Sequence, residues 1–318
     1  MTKANAEIDM LAASLRGVVG CDDQKDQRLA LEFWARESQR AMEPKCISSP
    51  DEYDGSPYLA ISCTQTDLPD REQARLVETW CHLLPTLDEV QWLWFYSRVP
   101  QCLFDAACQI PALRGLYVKW SGIENLEPLT QCTNLTHLKL GSSPGIRSLD
   151  PLGCLTWLKW LQVDNVRAAK TVEPLQSLKR LEGLGFTGGE FKNYTIHSFE
   201  PLGCMTNLRW LHLGSVHTED QSLKTFANLK NLEFLGLGNF FPLEEFAWLS
   251  LRLSPSVCEW LQPYVKAHSS VFPCPRCKAN WKVLASGKRG RLLCPTCDSV
   301  KLARHVMRFN AAREAAKG

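Results

Sequence analysis

The segment Leu135-Thr-His-Leu138-Lys-Leu140 follows the pattern L-x-x-L-x-L, and the chain of 318 residues carries six copies of this pattern. The copies begin at Leu113, Leu135, Leu158, Leu181, Leu208 and Leu232, which places them 22, 23, 23, 27 and 24 residues apart. A weaker copy begins at Leu87. A period of roughly 20–29 residues is typical of repeats that each contribute one short strand to a stacked coil.

A second motif recurs between the predicted strands and marks the return of the chain. It is an acidic residue followed by Pro-Leu, and its copies are Glu127-Pro-Leu, Asp150-Pro-Leu, Glu173-Pro-Leu and Glu200-Pro-Leu. One such unit cannot bury its own leucines, so neighbouring units must stack and share a continuous core. The repeat therefore predicts an α/β solenoid.

The segments QCTNLTHLKL (131–140) and GCMTNLRWLHL (203–213) resemble the consensus of internalin-type leucine-rich repeats. The resemblance covers about residues 87–250 and implies a solenoid that recognises a partner protein, which it does not identify. The chain departs from the family pattern after the strands, where Asn or Cys is mostly missing and only Asn165 and Asn239 lie nearby. We therefore expect an irregular asparagine ladder.

Caps are expected at both ends of the solenoid, since a terminal repeat exposes apolar surface. Asp70-Arg-Glu-Gln73 has the pattern of a capping box before a helix that Pro85 ends, and residues 58–63 have the pattern of a strand. A second capping helix is predicted from Ser254-Pro255 through Leu261. The predicted domains are a helical N-terminal region (1–57), the solenoid (58–250), a cap helix or linker (251–270), a four-cysteine module (271–300) and a basic helical tail (301–318).

The residues between the leucines of each strand should point to the face opposite the core, here called the concave face. That face is predicted to carry Tyr117, Lys119, His137, Lys139, Trp160, Gln162, Asp164, Trp210, His212 and Phe234. Exposed rings in adjacent repeats favour partner binding, because Trp and Tyr dominate binding hot spots. We predict a protein-binding surface with Tyr117, Trp160, Trp210 and Phe234 as anchors. The alternative is that the N-terminal region or the C-terminal tail covers the rings.

Glycines accompany these rings on the same strands, at positions 183, 185, 214, 236 and 238. We expect them to flatten the wall and to let another backbone approach closely. The spacing of Gly183, Gly185 and Gly188 matches a dinucleotide fingerprint, but no helix pattern follows it, which argues against nucleotide binding there.

Cys274-Pro-Arg-Cys277 and Cys294-Pro-Thr-Cys297 have the paired spacing of a zinc site. Each tight turn directs two thiolates at one metal, and two turns complete a tetrahedron. Residues 271–300 resemble a zinc ribbon, with Lys278 and Asp298 where glycine is usual, and we expect a positive φ to suit Asp298 better than Lys278. The prediction is a structural Zn²⁺, with iron as the alternative metal.

Charge is concentrated at this end of the chain. Residues 278–318 hold ten Lys and Arg against two acids, which gives +8, whereas the preceding residues carry −6. The alternative function is therefore association with nucleic acid, with the repeats as a scaffold. The residues predicted to carry it are Lys288, Arg289, Arg291, Lys301 and Arg304.

The composition excludes several other classes of protein. Hydrophobic residues make up 45% of the chain and charged residues 22%, so it is neither disordered nor a coiled coil. No apolar run approaches the length of a membrane span and the start lacks a secretory signal, so a cytoplasmic protein without membrane contact is expected. No His/Asp/Ser or Cys/His constellation with catalytic context is present in the sequence, and we expect no enzyme.

Overall fold

The computed structural model describes residues 44–188, 194–268, 273–279 and 281–317. The helix expected within residues 24–42, and with it most of the predicted N-terminal region, lies outside the described residues. The described helices are α1 (Asp70–Leu83), α2 (Gln101–Ala107), α3 (Leu243–Leu249) and α4 (Ser299–Ala315). None of the helices in these ranges is both long and apolar enough to cross a membrane.

A nine-stranded parallel sheet forms one wall of the molecule, and its strands follow one another in chain order apart from two that pair elsewhere. The strands are β1 (Cys46–Ile47), β2 (Tyr58–Ile61), β3 (Trp92–Phe95), β4 (Gly115–Val118), β5 (His137–Leu140), β6 (Trp160–Asp164), β7 (Gly183–Thr187), β9 (Trp210–Leu213) and β11 (Phe234–Leu237). The predicted α/β solenoid is confirmed, with one strand per repeat.

The leucines of each strand decide which face of the sheet is covered. Alternate residues of a strand point to opposite faces, and in β5 Leu138 and Leu140 enter the main core with no exposed surface. Leu161 and Val163 do the same in β6. The core is therefore continuous from repeat to repeat, as stacked units require.

The return segments predicted from the acidic-Pro-Leu motif are short 3-10 turns. The four turns are Glu127–Gln131, Asp150–Cys154, Glu173–Ser177 and Glu200–Cys204. Each has Pro in its first turn, where a missing N–H costs no hydrogen bond, and each buries its Leu completely. The motif thus closes the solenoid opposite the sheet.

Helix α1 covers the first repeats at the predicted place, but its start differs from the expected capping box. Pro69 is the N-cap residue and no side chain caps the helix. The Gln73 side chain instead accepts a hydrogen bond from the N–H of Thr66 at 2.9 Å. Trp80 is fully buried, and its indole N–H donates to the Ser48 carbonyl at 2.7 Å, which joins α1 to the segment beside β1.

Asparagine side chains join the repeats from two positions. Just before the strand, Asn134 donates to the carbonyl of Pro111, Asn207 to that of Lys179 and Asn231 to that of Thr206. After the strand, at the expected position, Asn165 donates to the Ser142 hydroxyl at 3.0 Å. After the strands, the hydroxyls of Ser121 and Ser143 are 2.7 Å apart. Serines take over part of the role that asparagine plays in the family pattern.

The longest repeat spacing corresponds to a small second sheet. It pairs β8 (Tyr194–Ile196) with β10 (Val216–Thr218) in parallel. Tyr194 is buried against Phe186, with ring centroids 5.5 Å apart. The lengthened repeat therefore adds to the core.

The capping helix predicted at 254–261 is wrong, because this segment consists of turns. Its groups serve the last strand: the Val257 carbonyl accepts from the N–H of Leu235 at 2.8 Å, and the Trp260 indole donates to the Leu237 carbonyl at 2.8 Å. An unpaired edge strand needs such partners. The segment thus completes the edge of the sheet as an irregular last repeat, and the cap helix at this end is α3.

The C-terminal module contains a three-stranded antiparallel sheet with the order β12 (Tyr264–His268), β13 (Trp281–Ala285) and β14 (Leu292–Leu293). The sequence patterns at 281–284 and 291–293 predict the last two strands as a hairpin, but no pattern predicts β12. The predicted basic tail is helical from Ser299, and α4 contacts α3. Phe309 of α4 is 2% exposed and belongs to the main core of the solenoid. The module is packed onto the repeats.

Asn239 joins the solenoid to this module through both ends of its amide. Its Nδ2 donates to the carbonyl of Ala285 at 2.9 Å, and its Oδ1 accepts from the N–H of Gly287 at 2.6 Å. The N–H of Lys288 donates to the Phe241 carbonyl at 2.6 Å beside them. The turn between β13 and β14 is thereby held against the end of the sheet.

We expect Asn239→Ala to lower the free energy of unfolding by about 2–3 kcal/mol, since two hydrogen bonds are lost and the partly enclosed groups of Ala285 and Gly287 keep no partner. Urea unfolding of the full chain measures this loss. Asn228→Ala is the control, because the exposed Asn228 side chain donates no hydrogen bond within the described residues, and its effect should stay within about 0.5 kcal/mol. Equal losses in the two variants would contradict the role of the amide.

Candidate protein-binding face and metal centre

A single row of residues crosses the concave face at the first position of each strand. The register places them side by side in the order Tyr58, Trp92, Gly115, His137, Trp160, Gly183, Trp210 and Phe234. None of the aromatic members belongs to the leucine core. The prediction that alternate strand residues turn to this face is confirmed.

The rings of this row stack on one another along the sheet. The centroids of Trp160 and Trp210 are 4.6 Å apart with the planes 27° from parallel, and Trp210 and Phe234 follow at 6.2 Å. Trp92 and His137 lie 5.3 Å apart across Gly115. Stacked pairs of this kind contribute about 0.5–1.5 kcal/mol each beyond the area they bury.

The expected exposure of the central rings is wrong. Trp160 and Trp210 are each 2% exposed, Phe234 is 4% exposed and His137 is fully buried. Parallel strands lie only about 4.8 Å apart, so a ring that leans over a neighbouring glycine contacts the next ring. The row is a second packed layer on the sheet, and these four residues cannot serve as solvent-exposed anchors. Of the two covers considered as the alternative, most of the N-terminal region lies outside the described residues, whereas Phe309 of the C-terminal helix joins the leucine core and not this row.

The glycines provide the space for this layer, and the close approach that they permit is that of rings and not of another backbone. A methyl group on Gly183 would lie 2.2 Å from Cε3 of Trp160, and one on Gly185 would lie 3.1 Å from Cη2 of Trp210. Gly115 stands in the same relation to Trp92. The residues that match a dinucleotide fingerprint thus include two that make room for tryptophan.

Six of the residues predicted for the concave face keep exposed surface. Lys119 is exposed, and Tyr117, Lys139, Gln162, Asp164 and His212 are half-buried. The Lys139 ammonium lies 5.2 Å from the Tyr117 ring centroid. Asp164 accepts a hydrogen bond from the Thr187 hydroxyl at 2.7 Å. The accessible part of the face is therefore polar and charged, with Tyr117 as its main aromatic side chain among the predicted residues.

An exposed tryptophan that the sequence pattern did not single out lies at the edge of the sheet. Trp157 lies just before β6 and is 53% exposed. The guanidinium carbon of Arg180, from the next repeat, lies 3.7 Å from its ring centroid. This distance is well within the range of a cation–π contact. Tryptophan and arginine together are the residue types most enriched in binding hot spots.

Charged residues of alternating sign lie along the same edge of the sheet as Trp157. They occupy the position immediately before each strand, and the residues are Lys159, Glu182, Arg209 and Glu233. Arg209 lies 3.8 Å from Glu182 and donates to Glu233 at 2.6 Å. With Arg180 they line a cleft of about 470 Å³. This charged edge could have been predicted from the sequence, because the residue before the strand changes sign from one repeat to the next.

The four predicted metal ligands lie together at one point of the C-terminal module. The sulfur atoms of Cys274, Cys277, Cys294 and Cys297 are all within 4.8 Å of one another. The pair 274 and 297 is 3.8 Å apart, and the pair 277 and 294 is 3.5 Å apart. Tetrahedral ligands at about 2.3 Å from a metal lie about 3.8 Å from each other. The four thiols therefore fit a metal ion.

Two tight turns present these sulfurs. The N–H of Lys278 donates to the Cys274 carbonyl at 2.9 Å, and that of Asp298 donates to the Cys294 carbonyl at 2.8 Å. Backbone N–H groups of Cys277 and Arg276 lower the pKa of the Cys274 thiol. Such donors favour the thiolate form that a metal requires.

The two residues that replace glycine behave differently from expectation. Lys278 has φ of 59°, whereas Asp298 has φ of −115°. Asp298 is the N-cap residue of α4, and its carboxylate accepts from the N–H of Cys294 at 3.1 Å and from Arg276 at 2.7 Å. These two donors lower the pKa of Asp298 to about 2. Its carboxylate thus links the second turn to the first.

The five basic residues predicted for nucleic acid are also brought together. Lys288, Arg289 and Arg291, from the turn between β13 and β14, face Lys301 and Arg304 of α4 across one cleft.

No protein-family model and no curated protein matches this chain. Among solved structures it is similar to an internalin from Listeria monocytogenes, at 19% identity and a TM-score of 0.43, over 59% of this chain and 51% of that one. It is also similar to internalin C2 from the same organism, at 24% identity and a TM-score of 0.40, over 51% and 71% of the two chains. A leucine-rich-repeat protein of Leptospira interrogans follows at 18% identity and 0.36, over 52% and 47%. The chain thus spans about half of the length of the first internalin.

We expect Gly183→Ala to lower the free energy of unfolding by about 1–3 kcal/mol, because the added methyl group overlaps the Trp160 ring. Removing that ring should relieve the overlap, so Gly183→Ala should cost close to nothing in a Trp160→Ala background. A double-mutant cycle measured by urea unfolding isolates this coupling.

The matched control for this cycle is Gly122→Ala. A methyl group there meets only the flexible end of the Arg98 side chain, at 3.0 Å, and its effect should stay within about 0.5 kcal/mol. If Gly183→Ala lowers the free energy of unfolding equally with and without the Trp160 ring, then the ring is not the reason why position 183 requires glycine.

Proposed function

We propose that this chain is a non-enzymatic recognition protein that binds a partner protein through its leucine-rich-repeat solenoid, with a structural zinc ion in its C-terminal module. The observation that carries the proposal is the exposed Trp157 with the Arg180 guanidinium stacked on it. A large ring held in place loses little conformational freedom on binding, which is one reason why such residues dominate interfaces.

The charged edge beside Trp157 supplies the specificity of this surface. Positive and negative side chains alternate from Lys159 to Glu233 along the cleft. Complementary charges on a partner set its register and reject other partners, whereas they add less to affinity. The partner segment proposed here therefore presents an apolar contact for Trp157 and alternating charges beyond it.

The exposed part of the concave face extends the proposed surface. It comprises Tyr117, Lys119, Lys139, Asp164 and His212, which keep the role predicted for them. The buried residues Trp160, Trp210, Phe234 and His137 are assigned a supporting role, because they fix the strands that carry the exposed ones. Substitutions in this second set are expected to act on stability.

The metal in the proposal is zinc, held by Cys274, Cys277, Cys294 and Cys297. Four thiolates leave no open position for water or substrate, so the ion has a structural and not a catalytic role. Iron binds the same ligand set and is the alternative. We also propose a cytoplasmic location, because thiols must stay reduced to bind the ion.

The test of the protein-binding surface compares the wild-type chain with Trp157→Ala/Arg180→Ala in affinity capture from native extract after nuclease treatment. Proteins bound through this surface should be retained by the wild type and reduced at least about tenfold in the double variant, since hot-spot residues each contribute about 2 kcal/mol or more. Quantitative mass spectrometry measures the difference.

Trp120→Ala is the control for this capture, because Trp120 is also exposed, at 37%, but follows the end of β4 and lies away from the cleft. A partner retained by Trp120→Ala and lost by the double variant supports the proposal. Identical protein profiles for all three chains would show that the Trp157 edge binds no partner.

For the metal, we expect one zinc ion per chain by elemental analysis, and its removal by a chelator should expose the C-terminal module to protease. So small a module has too little core to fold without the ion. Cys294→Ser should reproduce the effect of the chelator, whereas Cys154→Ser, at an exposed thiol in a return turn, should not. Iron in place of zinc, or an unchanged protease pattern in the metal-free chain, would refute the assignment.

A further inference from the structure

The C-terminal module contains a cleft of about 360 Å³ between the turn joining β13 to β14 and the first half of α4. Arg289 and Arg291 line it from the turn, and Lys301, Arg304 and Arg308 line it from the helix. No acidic side chain lines the cleft in the part of the chain that the structure describes. It is the meeting point of most of the positive charge in the C-terminal segment.

The four arginines of the cleft have no acidic partner among the described residues. Within the described residues Arg289, Arg291, Arg304 and Arg308 form no ion pair, whereas Lys301 lies 3.4 Å from Asp298. Neighbouring acids are directed elsewhere: the Glu245 carboxylate of α3 accepts from the N–H of Leu223 at 2.7 Å. Four like charges in one cleft repel one another, and an anion between them would relieve that repulsion.

The fold holds the two walls of the cleft in place without a ligand. On the first wall, the N–H of Gly287 is bound by Asn239, and Arg289 has φ of 66° in the turn that follows. On the second wall, the His305 ring donates to the Pro263 carbonyl at 2.8 Å. Burial lowers the pKa of His305, which favours the neutral form of its ring. The backbone positions that carry the arginines are thus fixed before any ligand binds, which reduces the cost of binding.

The extent of the charge indicates the size of the ligand. Lys301, Arg304 and Arg308 follow one another along one side of α4 and span about 10 Å at about 1.5 Å per residue. This exceeds a single phosphate group, so the charged side of the helix is long enough to contact more than one phosphate along a strand. The fork of each guanidinium suits two phosphate oxygens.

We propose that this cleft binds the phosphate backbone of a nucleic-acid strand without reading its sequence. No Phe, Tyr or Trp ring lines it among the described residues, so stacking on bases is absent from the contact. The charge distribution supports the assignment, because the body of the chain carries −6 and only this segment carries +8. The proposal does not depend on the protein-binding surface, since the two use different residues.

The experiment measures the binding of the full zinc-loaded chain to a short fluorescent single strand by anisotropy, over a range of salt concentrations. Arg304→Gln/Arg308→Gln should bind at least about tenfold more weakly, and the slope of log affinity against log salt should fall by about 1.5, since each lost phosphate contact removes about 0.7. Strands of different sequence should bind equally.

Arg313→Gln is the matched control, because Arg313 lies on the same helix outside the cleft. It should leave both affinity and slope unchanged. Arg289→Gln/Arg291→Gln alters the opposite wall and should reproduce the effect of the first variant. Zinc content and thermal unfolding of each variant separate a binding defect from a folding defect.

Three results would overturn the proposal. The first is an absence of binding by the wild type at about 50 mM salt, where phosphate contacts are strong. The second is an equal loss in Arg313→Gln and in the cleft variants. The third is displacement of the strand by inorganic phosphate or by polyglutamate as effectively as by unlabelled strand, which would assign the cleft to a small anion or to an acidic protein.

Discussion

The fold depends on the sharing of leucines between neighbouring repeats. Each repeat is too thin to enclose its own apolar side chains, so every one relies on the next, and the two ends need covers of another kind. At the first end α1 supplies Trp80, which is fully buried. At the other end the turns around Trp260 complete the edge of β11, and α4 adds Phe309 to the same core. The C-terminal module is therefore part of the closure of the solenoid.

The sheet is packed on both faces along one row, which is unusual for the exposed wall of a solenoid but usual for buried parallel sheets. Trp160 leans over Gly183 and meets Trp210, and the same arrangement of ring over glycine occurs at Trp92 and Gly115. The large rings therefore stiffen the wall from the concave side. Accessible surface remains at the third position of the strands, as at Tyr117 and His212, and at the border of the wall, where Trp157 and the charged cleft are exposed.

The repeat period was sufficient to predict one strand per repeat and the return turns, and the paired Cys-x-x-Cys spacing was sufficient to predict that the four cysteines lie together. Spacing also gave the correct face for Trp160 and Trp210, yet not their burial, which depends on which residue the adjacent strand places beside each ring. The prediction of a helix at 254–261 was wrong because this segment provides hydrogen-bonding partners for the edge of β11. That requirement comes from tertiary structure, and a local sequence pattern does not indicate it. Asn239 was noticed only as a remnant of the asparagine ladder, whereas its amide joins two parts of the chain that are far apart in sequence.

The insertion of Phe309 into the solenoid core has a consequence for the affinity of the four-cysteine site. Helix α4 begins at Asp298, directly after the last cysteine, and ends in contact with the repeats. The docking of the helix and the assembly of the four-cysteine site are therefore thermodynamically linked, so the free energy gained by docking also favours the assembled site. A peptide comprising residues 271–300 alone forgoes that contribution, and we expect it to bind the proposed metal ion less tightly than the full chain.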